Sequence, residues 1–211
     1  MNSSGLDGAS PATNARVIVL AGPSGSGKSR LADRLGQPIL RLDDFYRDGE
    51  DPMLPRHGAH ADWESPAAWH GDRALDAILR LCAGEQIDVP IYSMAANRAV
   101  GSRPMSLDGA PFLVVEGLFT SEVVAPIRVA GLLAAAVVLR NNPLLTFVRR
   151  MRRDFADGRK PPRDIVRIGV GKLARERSVV RALVAAGGTP MSNPRAMRYL
   201  GQLITSASVK W

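Results

Sequence analysis

Cysteine is nearly absent from this 211-residue sequence, and the single one, Cys82, excludes a disulfide within the chain. Its spacing from Leu75 and Ile78 is that of the apolar face of a helix, which predicts a small core residue. Long hydrophobic runs are also missing: the longest, residues 131–139, is less than half of the about 20 residues that a membrane-spanning helix needs. The N-terminal residues lack the charged and apolar regions of a signal peptide. We therefore expect a cytoplasmic protein without a membrane segment.

An excess of acidic side chains is absent too, since the net charge is +8. Much of this charge is local, because residues 140–163 carry eight basic and two acidic side chains. The rest of the composition, 45% apolar and 23% charged, is ordinary for a globular protein. The length favours one domain with a buried core. We predict a flexible tail at residues 1–15 and a single domain at residues 16–211.

Apolar strand patterns alternate with amphipathic helix patterns along the chain. The strand patterns lie at residues 16–21, 38–42, 111–118 and 133–140, with a short edge strand at 87–92. The helix patterns lie at residues 28–36, 72–84 and 142–158. The rest of the chain after residue 163 also looks helical, and its last helix is capped by Ser192 or Asn193. Residues 47–71, rich in Gly, Pro, His and charge, predict a long loop. The alternation predicts an α/β fold, in which helices cover both faces of a parallel sheet and ligands bind beyond the carboxyl ends of its strands.

The loop after the first predicted strand has the pattern G-x-x-x-x-G-K-[ST], which binds phosphate in nucleotide-binding proteins. Its residues are Gly22, Pro23, Ser24, Gly25, Ser26, Gly27, Lys28 and Ser29. Successive backbone N–H groups of such a loop wrap a phosphate, and the following helix adds its positive end. Lys28 is expected to reach the β and γ phosphates, and the Ser29 hydroxyl to coordinate Mg²⁺. The loop predicts a bound nucleoside triphosphate.

Two absent motifs narrow the class of protein. The N-K-x-D motif by which GTPases read their base is missing, and so is a stretch like the L-S-G-G-Q of transporter ATPases. With one α/β pattern in 211 residues, a small-molecule kinase is favoured.

Acidic residues follow two of the predicted strands. Asp43 and Asp44 come after the second strand, and Glu116 lies near the end of the apolar run at 111–118. A carboxylate opposite the phosphate loop can take the proton of an attacking hydroxyl. Since a strand alternates its faces, only one of the two aspartates should face inward, and the residues alone leave open which one. Buried strand residues are rarely charged without a partner, so Glu116 is a candidate metal ligand.

Five stretches, in this order, resemble the uridine kinase family of P-loop kinases. They are "GPSGSGKS" (22–29), "LDDFYRD" (42–48), "DVPIYS" (88–93), "LVVEGLF" (113–119) and "RRMRRDFADGRK" (149–160). The resemblance implies a three-layer P-loop fold with a sheet of about five strands, an arginine-rich lid at residues 149–163, and ATP with Mg²⁺ as cofactors. It also implies a substrate-side loop at residues 47–71.

The resemblance assigns roles to individual positions. Asp43 corresponds to the family's proposed base, which also approaches the metal, and Glu116 to the acid that holds Mg²⁺ together with Ser29. Tyr46 and Tyr92 correspond to acceptor-site residues, and Asp62 loosely to an aspartate that binds ribose hydroxyls. The lid positions that match best are Arg153 and Arg159, which would act in catalysis with Lys28 and Asp43.

The family's nucleoside-reading stretch, close to Y-D-x-x-T-H-x-R, is altered to "YSMAANRA" at residues 92–99. Ser93 replaces the aspartate, Asn97 the histidine, and Arg98 lies one place early. A site that hydrogen-bonds to the polar edge of a ring distinguishes one substrate from another through such groups, so these replacements affect which acceptor is bound. We expect phosphorylation of the 5′-hydroxyl of uridine or cytidine, with pantothenate or nicotinamide riboside as the alternative acceptor. A nucleotide-binding regulator or nucleic-acid partner is less favoured, and a homo-oligomer is left open.

Overall fold

The computed structural model describes residues 15–58, 60–140, 146–149, 151–152, 155 and 180–208. Its strands are β1 (Arg16–Ala21), β2 (Ile39–Arg41), β3 (Arg56–His57), β4 (His60–Ala61), β5 (Ile87–Ser93), β6 (Arg98–Met105), β7 (Phe112–Glu116), β8 (Leu133–Leu139) and β9 (Thr189–Met191). Its helices are α1 (Lys28–Arg34), α2 (Gly71–Cys82), α3 (Thr120–Val129) and α4 (Asn193–Ser208). Short 3-10 turns span Leu42–Phe45 and Pro66–Ala68.

Five parallel strands form the main sheet, in the order β2-β7-β1-β8-β9. Alternate residues of β1 point to opposite faces, and both faces are covered. Val17 and Val19 join the core that α2 and α3 build, whereas Ile18 and Leu20 join the core that α1 and α4 build. All four side chains are fully buried, each worth about 1.5–3 kcal/mol. The predicted α/β fold with helices on both faces of a parallel sheet is confirmed.

The second predicted strand is shorter than expected. β2 ends at Arg41, and the chain continues as the 3-10 turn Leu42–Phe45 because Leu42 and Phe45 turn into the core. Asp43 and Asp44 therefore lie on a turn, and the argument from strand alternation does not apply to them. The turn nevertheless sends the two carboxylates in different directions.

The predicted edge strand is confirmed as β5, but it lies outside the main sheet. It forms an antiparallel pair with β6, which the sequence did not predict because Gly101 and Pro104 interrupt any regular pattern. α3 was also missed, since Pro126 inside it argues against a helix. β9 lies where the chain was expected to be helical, so that expectation is wrong at Thr189–Met191, which is too short a strand to show a pattern of its own.

The predicted loop at residues 47–71 contains the small hairpin of β3 and β4, in which His57 pairs with His60 through the backbone. Within the described part of the chain, no three His, Cys, Asp or Glu side chains gather into a metal site. The same part holds no helix that is both long and apolar enough to cross a membrane. Residues 146–149, 151–152 and 155 are helical where the helix 142–158 was predicted. The predicted tail and most of the predicted lid lie outside the described residues.

Candidate active site

The carboxyl ends of three neighbouring strands bring the predicted site residues to one edge of the sheet. Glu116 at the end of β7 pairs in register with Arg41 at the end of β2 and with Leu20 near the end of β1. The phosphate loop follows β1 directly, and the turn with Asp43 follows β2. The sheet topology thus gathers a phosphate loop and two acidic positions that are far apart in the sequence.

The phosphate loop passes into α1 through Gly27, whose φ of 92° is in the left-handed region that favours glycine. The Lys28 ammonium group folds back over the loop. Its Nζ donates to Gly22 O at 2.8 Å and to Pro23 O at 3.4 Å. The lysine charge therefore lies at the mouth of the loop, where a phosphate group would enter.

Ser29 and Glu116 form a hydroxyl–carboxylate pair beside that loop. Ser29 Oγ donates to Glu116 Oε1 at 3.0 Å, and Arg41 Nε lies 3.7 Å from the same oxygen. Burial raises the pKa of the Glu116 carboxyl, while the Lys28 charge and the Ser29 hydrogen bond act in the opposite direction. A buried carboxylate with an adjacent hydroxyl supplies the hard oxygen donors that Mg²⁺ prefers. These two residues fit the Mg²⁺ that the resemblance implies.

Asp43 and Asp44 face different parts of the site. Asp43 Oδ1 accepts a hydrogen bond from Leu118 N at 3.0 Å, and its charge acts on the Glu116 carboxyl. Asp44 Oδ1 accepts a longer bond, 3.4 Å, from Tyr92 N in β5, and burial raises its pKa. Asp43 thus lies on the side of the phosphate loop and Asp44 on the side of the β5–β6 hairpin.

Tyr46 is the centre of an aromatic cluster. Its ring lies 5.7 Å from Trp63, 5.7 Å from Tyr92 and 5.5 Å from Phe119, measured between ring centroids. Tyr46 donates through its hydroxyl to Trp63 O at 3.2 Å, and Tyr92 to Arg47 O at 3.0 Å. The two tyrosines are therefore together, as the resemblance implies, although both side chains are buried. Phe119 was missed because no local pattern marks a residue that acts through packing.

A cavity of about 400 Å³ lies beside this cluster, between the turn with Asp44 and the β5–β6 hairpin. Four carboxylates line it, together with His70 and Arg73: Asp44, Asp48, Glu50 and Asp51. Burial lowers the pKa of His70, so its ring is neutral at pH 7. Arg47 neutralises Asp51 at 3.0 Å. The lining is therefore net negative.

Of the predicted acceptor residues, Tyr46 lines this cavity, whereas Asp43, Tyr92, Asp62 and Asn97 do not. The last two have local roles. Asp62 Oδ1 accepts from Glu64 N at 3.1 Å and so shapes a turn of its own loop. Asn97 occupies the exposed turn between β5 and β6 with a φ of 50°, a conformation that asparagine tolerates better than most residues. Its carbonyl oxygen accepts from Gly49 N at 2.6 Å. In this structure both residues form turns.

The two lid residues Arg153 and Arg159 lie outside the described residues. Arg149 and Arg152 of the same segment are described, and both are exposed on a helix.

A parallel sheet with a phosphate loop after its central strand, and acids at the ends of the adjoining strands, defines a P-loop α/β protein. The model of the Phosphoribulokinase / Uridine kinase family matches residues 17–166, and the chain belongs to this family. Its relatives include a uridine kinase of Schizosaccharomyces pombe, 32% identical over 153 residues, which are 69% of this chain and 33% of that protein. A uridine kinase of Bacillus mycoides is 26% identical over 152 residues, 69% of this chain and 70% of that protein. The chain spans about a third of the S. pombe relative.

Solved structures support the same fold. A protein of Silicibacter sp. TM1040, provisionally assigned as a fructose transport system kinase, aligns with a TM-score of 0.55 at 19% identity, over 87% of this chain and 90% of that chain. YFH7 of Saccharomyces cerevisiae, a P-loop-containing protein with a circular permutation, aligns with a TM-score of 0.56 at 11% identity, over 85% of this chain and 93% of that chain. At such low identities the likeness concerns the fold alone.

Proposed function

We propose that the chain transfers a phosphoryl group from ATP to a hydroxyl group of a small acceptor, with the 5′-hydroxyl of uridine or cytidine as the first candidate. The observation that carries the proposal is the meeting of Lys28, the Ser29–Glu116 pair and Asp43 at one edge of the sheet. Membership of the family supports it.

Each group has a defined part in the reaction. Lys28 and the loop amides hold the phosphates, and Ser29 and Glu116 hold Mg²⁺, which when bound shields the charge of the triphosphate. Asp43 accepts the proton of the acceptor hydroxyl as the oxygen bonds to the γ-phosphorus. The bond from that phosphorus to the β-phosphate oxygen breaks, and ADP leaves. In the proposal, Arg153 and Arg159 neutralise charge on the transferred group.

The net charge of the cavity lining favours some candidate acceptors over others. A net negative lining repels a carboxylate, which disfavours pantothenate, whereas it accepts a neutral nucleoside or a cation. The replacements at Ser93 and Asn97 weaken the case for a pyrimidine nucleoside. Nicotinamide riboside, whose ring is positively charged, is therefore the second candidate. A nucleic acid, as a polyanion, is not favoured at this face.

A screen of acceptor-dependent ADP release tests the proposal. Uridine, cytidine, nicotinamide riboside and pantothenate are compared with ATP and Mg²⁺ present, and at least one of the first three should stimulate release. If none does, while the chain binds DNA or RNA in a salt-sensitive manner, the kinase function is wrong.

Asp43→Asn and Asp44→Asn form a matched pair for the assignment of the base. Loss of a general base costs about 10²–10⁴-fold in turnover, and we expect this for Asp43→Asn. Asp44→Asn should keep the turnover number and raise the KM of the acceptor, because Asp44 lines the cavity. Full acceptor-dependent ADP release by Asp43→Asn would show that Asp43 is not the base.

A further inference from the structure

Asn193, the first residue of α4, contacts the phosphate loop from the far end of the chain. Its Nδ2 donates to Ser26 O at 3.0 Å. Because a carbonyl oxygen can only accept, the amide nitrogen must face the loop. Asn193 lies beyond residue 166, where the family match ends, and the sequence indicated it only as a possible start of the last helix.

The backbone on both sides holds Asn193 in place. Just before it, β9 pairs with β8, and Arg140 N donates to Met191 O at 2.8 Å. Just after it, Ala196 and Leu200 are fully buried in the core that α4 shares with α1. The asparagine is therefore a fixed point against which the phosphate loop rests.

The loop is shaped to receive this side chain. A Cβ added to Gly27 would lie 2.9 Å from Asn193 Nδ2, so a larger residue at that position would displace the amide. The glycine thus meets two requirements, a left-handed backbone and room for Asn193. Ser26 itself is fully buried, which makes its carbonyl costly to leave without a hydrogen bond.

We propose that Asn193 is a positioning residue, which fixes the Ser26 carbonyl and thereby holds the phosphate loop in the form that binds the nucleotide. The C-terminal helix is then part of the nucleotide site, although it lies outside the family match. The inference rests on the proposed function in that the loop's ligand is ATP, and it adds a determinant of nucleotide affinity.

Direct binding of a fluorescent ATP analogue, measured without any acceptor, tests the inference. Asn193→Ala removes the donor, and Asn193→Asp places an acceptor opposite the Ser26 carbonyl. We expect the Kd to rise about tenfold for the alanine variant and further for the aspartate variant, since about 1.4 kcal/mol corresponds to a factor of ten. Asn193→Ser, which keeps a short donor, should lie between the parent and Asn193→Ala.

The control is Gln202→Ala, an exposed position on the same helix, which should leave the Kd unchanged. In turnover assays the Asn193 variants should raise the KM of ATP, while the KM of the acceptor and the turnover number at saturating ATP stay at the parent values. A purely structural role predicts a lower melting temperature with an unchanged Kd, and that result would overturn the inference.

Other outcomes separate the two proposals. If the parent binds the analogue and phosphorylates no acceptor, the proposed function is wrong. The role of Asn193 is then still decided by whether the Kd of its variants rises. If the parent binds no nucleotide, both proposals are wrong.

Discussion

Replacing Gly117 by alanine should damage the candidate site while leaving the phosphate loop itself untouched. Gly117 follows Glu116 directly and has a φ of 149°, where residues with a side chain are strained. An added Cβ would lie 2.8 Å from Leu42 Cβ and 3.0 Å from Asp43 Oδ1. Leu42 is fully buried and cannot retreat, so Asp43 must move.

The cost can be estimated from two contributions. The backbone conformation costs about 1–3 kcal/mol and the close contact another 1–3 kcal/mol, which gives a loss of about 2–6 kcal/mol in the free energy of unfolding. A displacement of a catalytic group by about 1 Å costs about 10²-fold in rate. We therefore expect Gly117→Ala to lose stability and, in its folded fraction, about 10²-fold in acceptor-dependent ADP release.

Gly36→Ala is the matched control. Gly36 has a φ of 64°, and an added Cβ there would meet nothing within 4 Å. That variant should lose only about 1 kcal/mol of stability and keep full activity. Urea unfolding and ADP release are measured for both variants. Equal stability losses for the two, with full activity in Gly117→Ala, would refute the claim that Gly117 gives Asp43 its place.

Two further predictions concern titrating groups. Burial raises the pKa of Asp44 above its ordinary 3.8, so the ionised carboxylate destabilises the folded state at pH 7, and this penalty disappears as the pH falls through the raised value to 3.8. Asp44→Asn keeps an oxygen that accepts from Tyr92 N, so its urea midpoint of unfolding should be higher than that of the parent at pH 7 and nearly equal to it near pH 4. A difference in midpoint that does not depend on pH would contradict this. Burial raises the pKa of the Cys82 thiol to about 11, so alkylation of the native protein at pH 8 should be about 100-fold slower than in denaturant, and rapid native labelling would contradict its burial.

The parts of the fold that were predictable are those with a strong local pattern. After Arg16, "VIVLA" (17–21) is apolar throughout because β1 is buried on both faces, and the phosphate loop has a spacing fixed by its ligand. Glu116 was predictable as a buried charge at a strand end. Its contact with Ser29, a residue of the loop itself, shows why both positions carry polar side chains.

The parts that were not predictable depend on distant contacts or on broken patterns. The direction of Asp43 and Asp44 depends on a 3-10 turn that the burial of Leu42 imposes, and nothing in "LDD" distinguishes that turn from a strand end. Asn193 donates a hydrogen bond to Ser26, which lies near the other end of the chain, so no local signal could indicate this contact. In β6, exposure of most residues removes the alternation by which strands are recognised.

The central position of β1 has a consequence for the order in which the molecule assembles. Of the described strands, β1 comes first along the sequence, yet Arg16 pairs with Phe112 and Val17 with Leu133, so both of its neighbours in the sheet come from segments far along the chain. Such distant pairings slow folding, because the entropy of closing a long loop is lost before the paired strands make stabilising contacts. The loop after β1 rests on Leu139 at the end of β8, where an added Cβ on Gly22 would lie 2.9 Å from the carbonyl oxygen. The phosphate loop follows β1 directly in the sequence, yet it takes its shape only once the distant strand β8 has paired with β1.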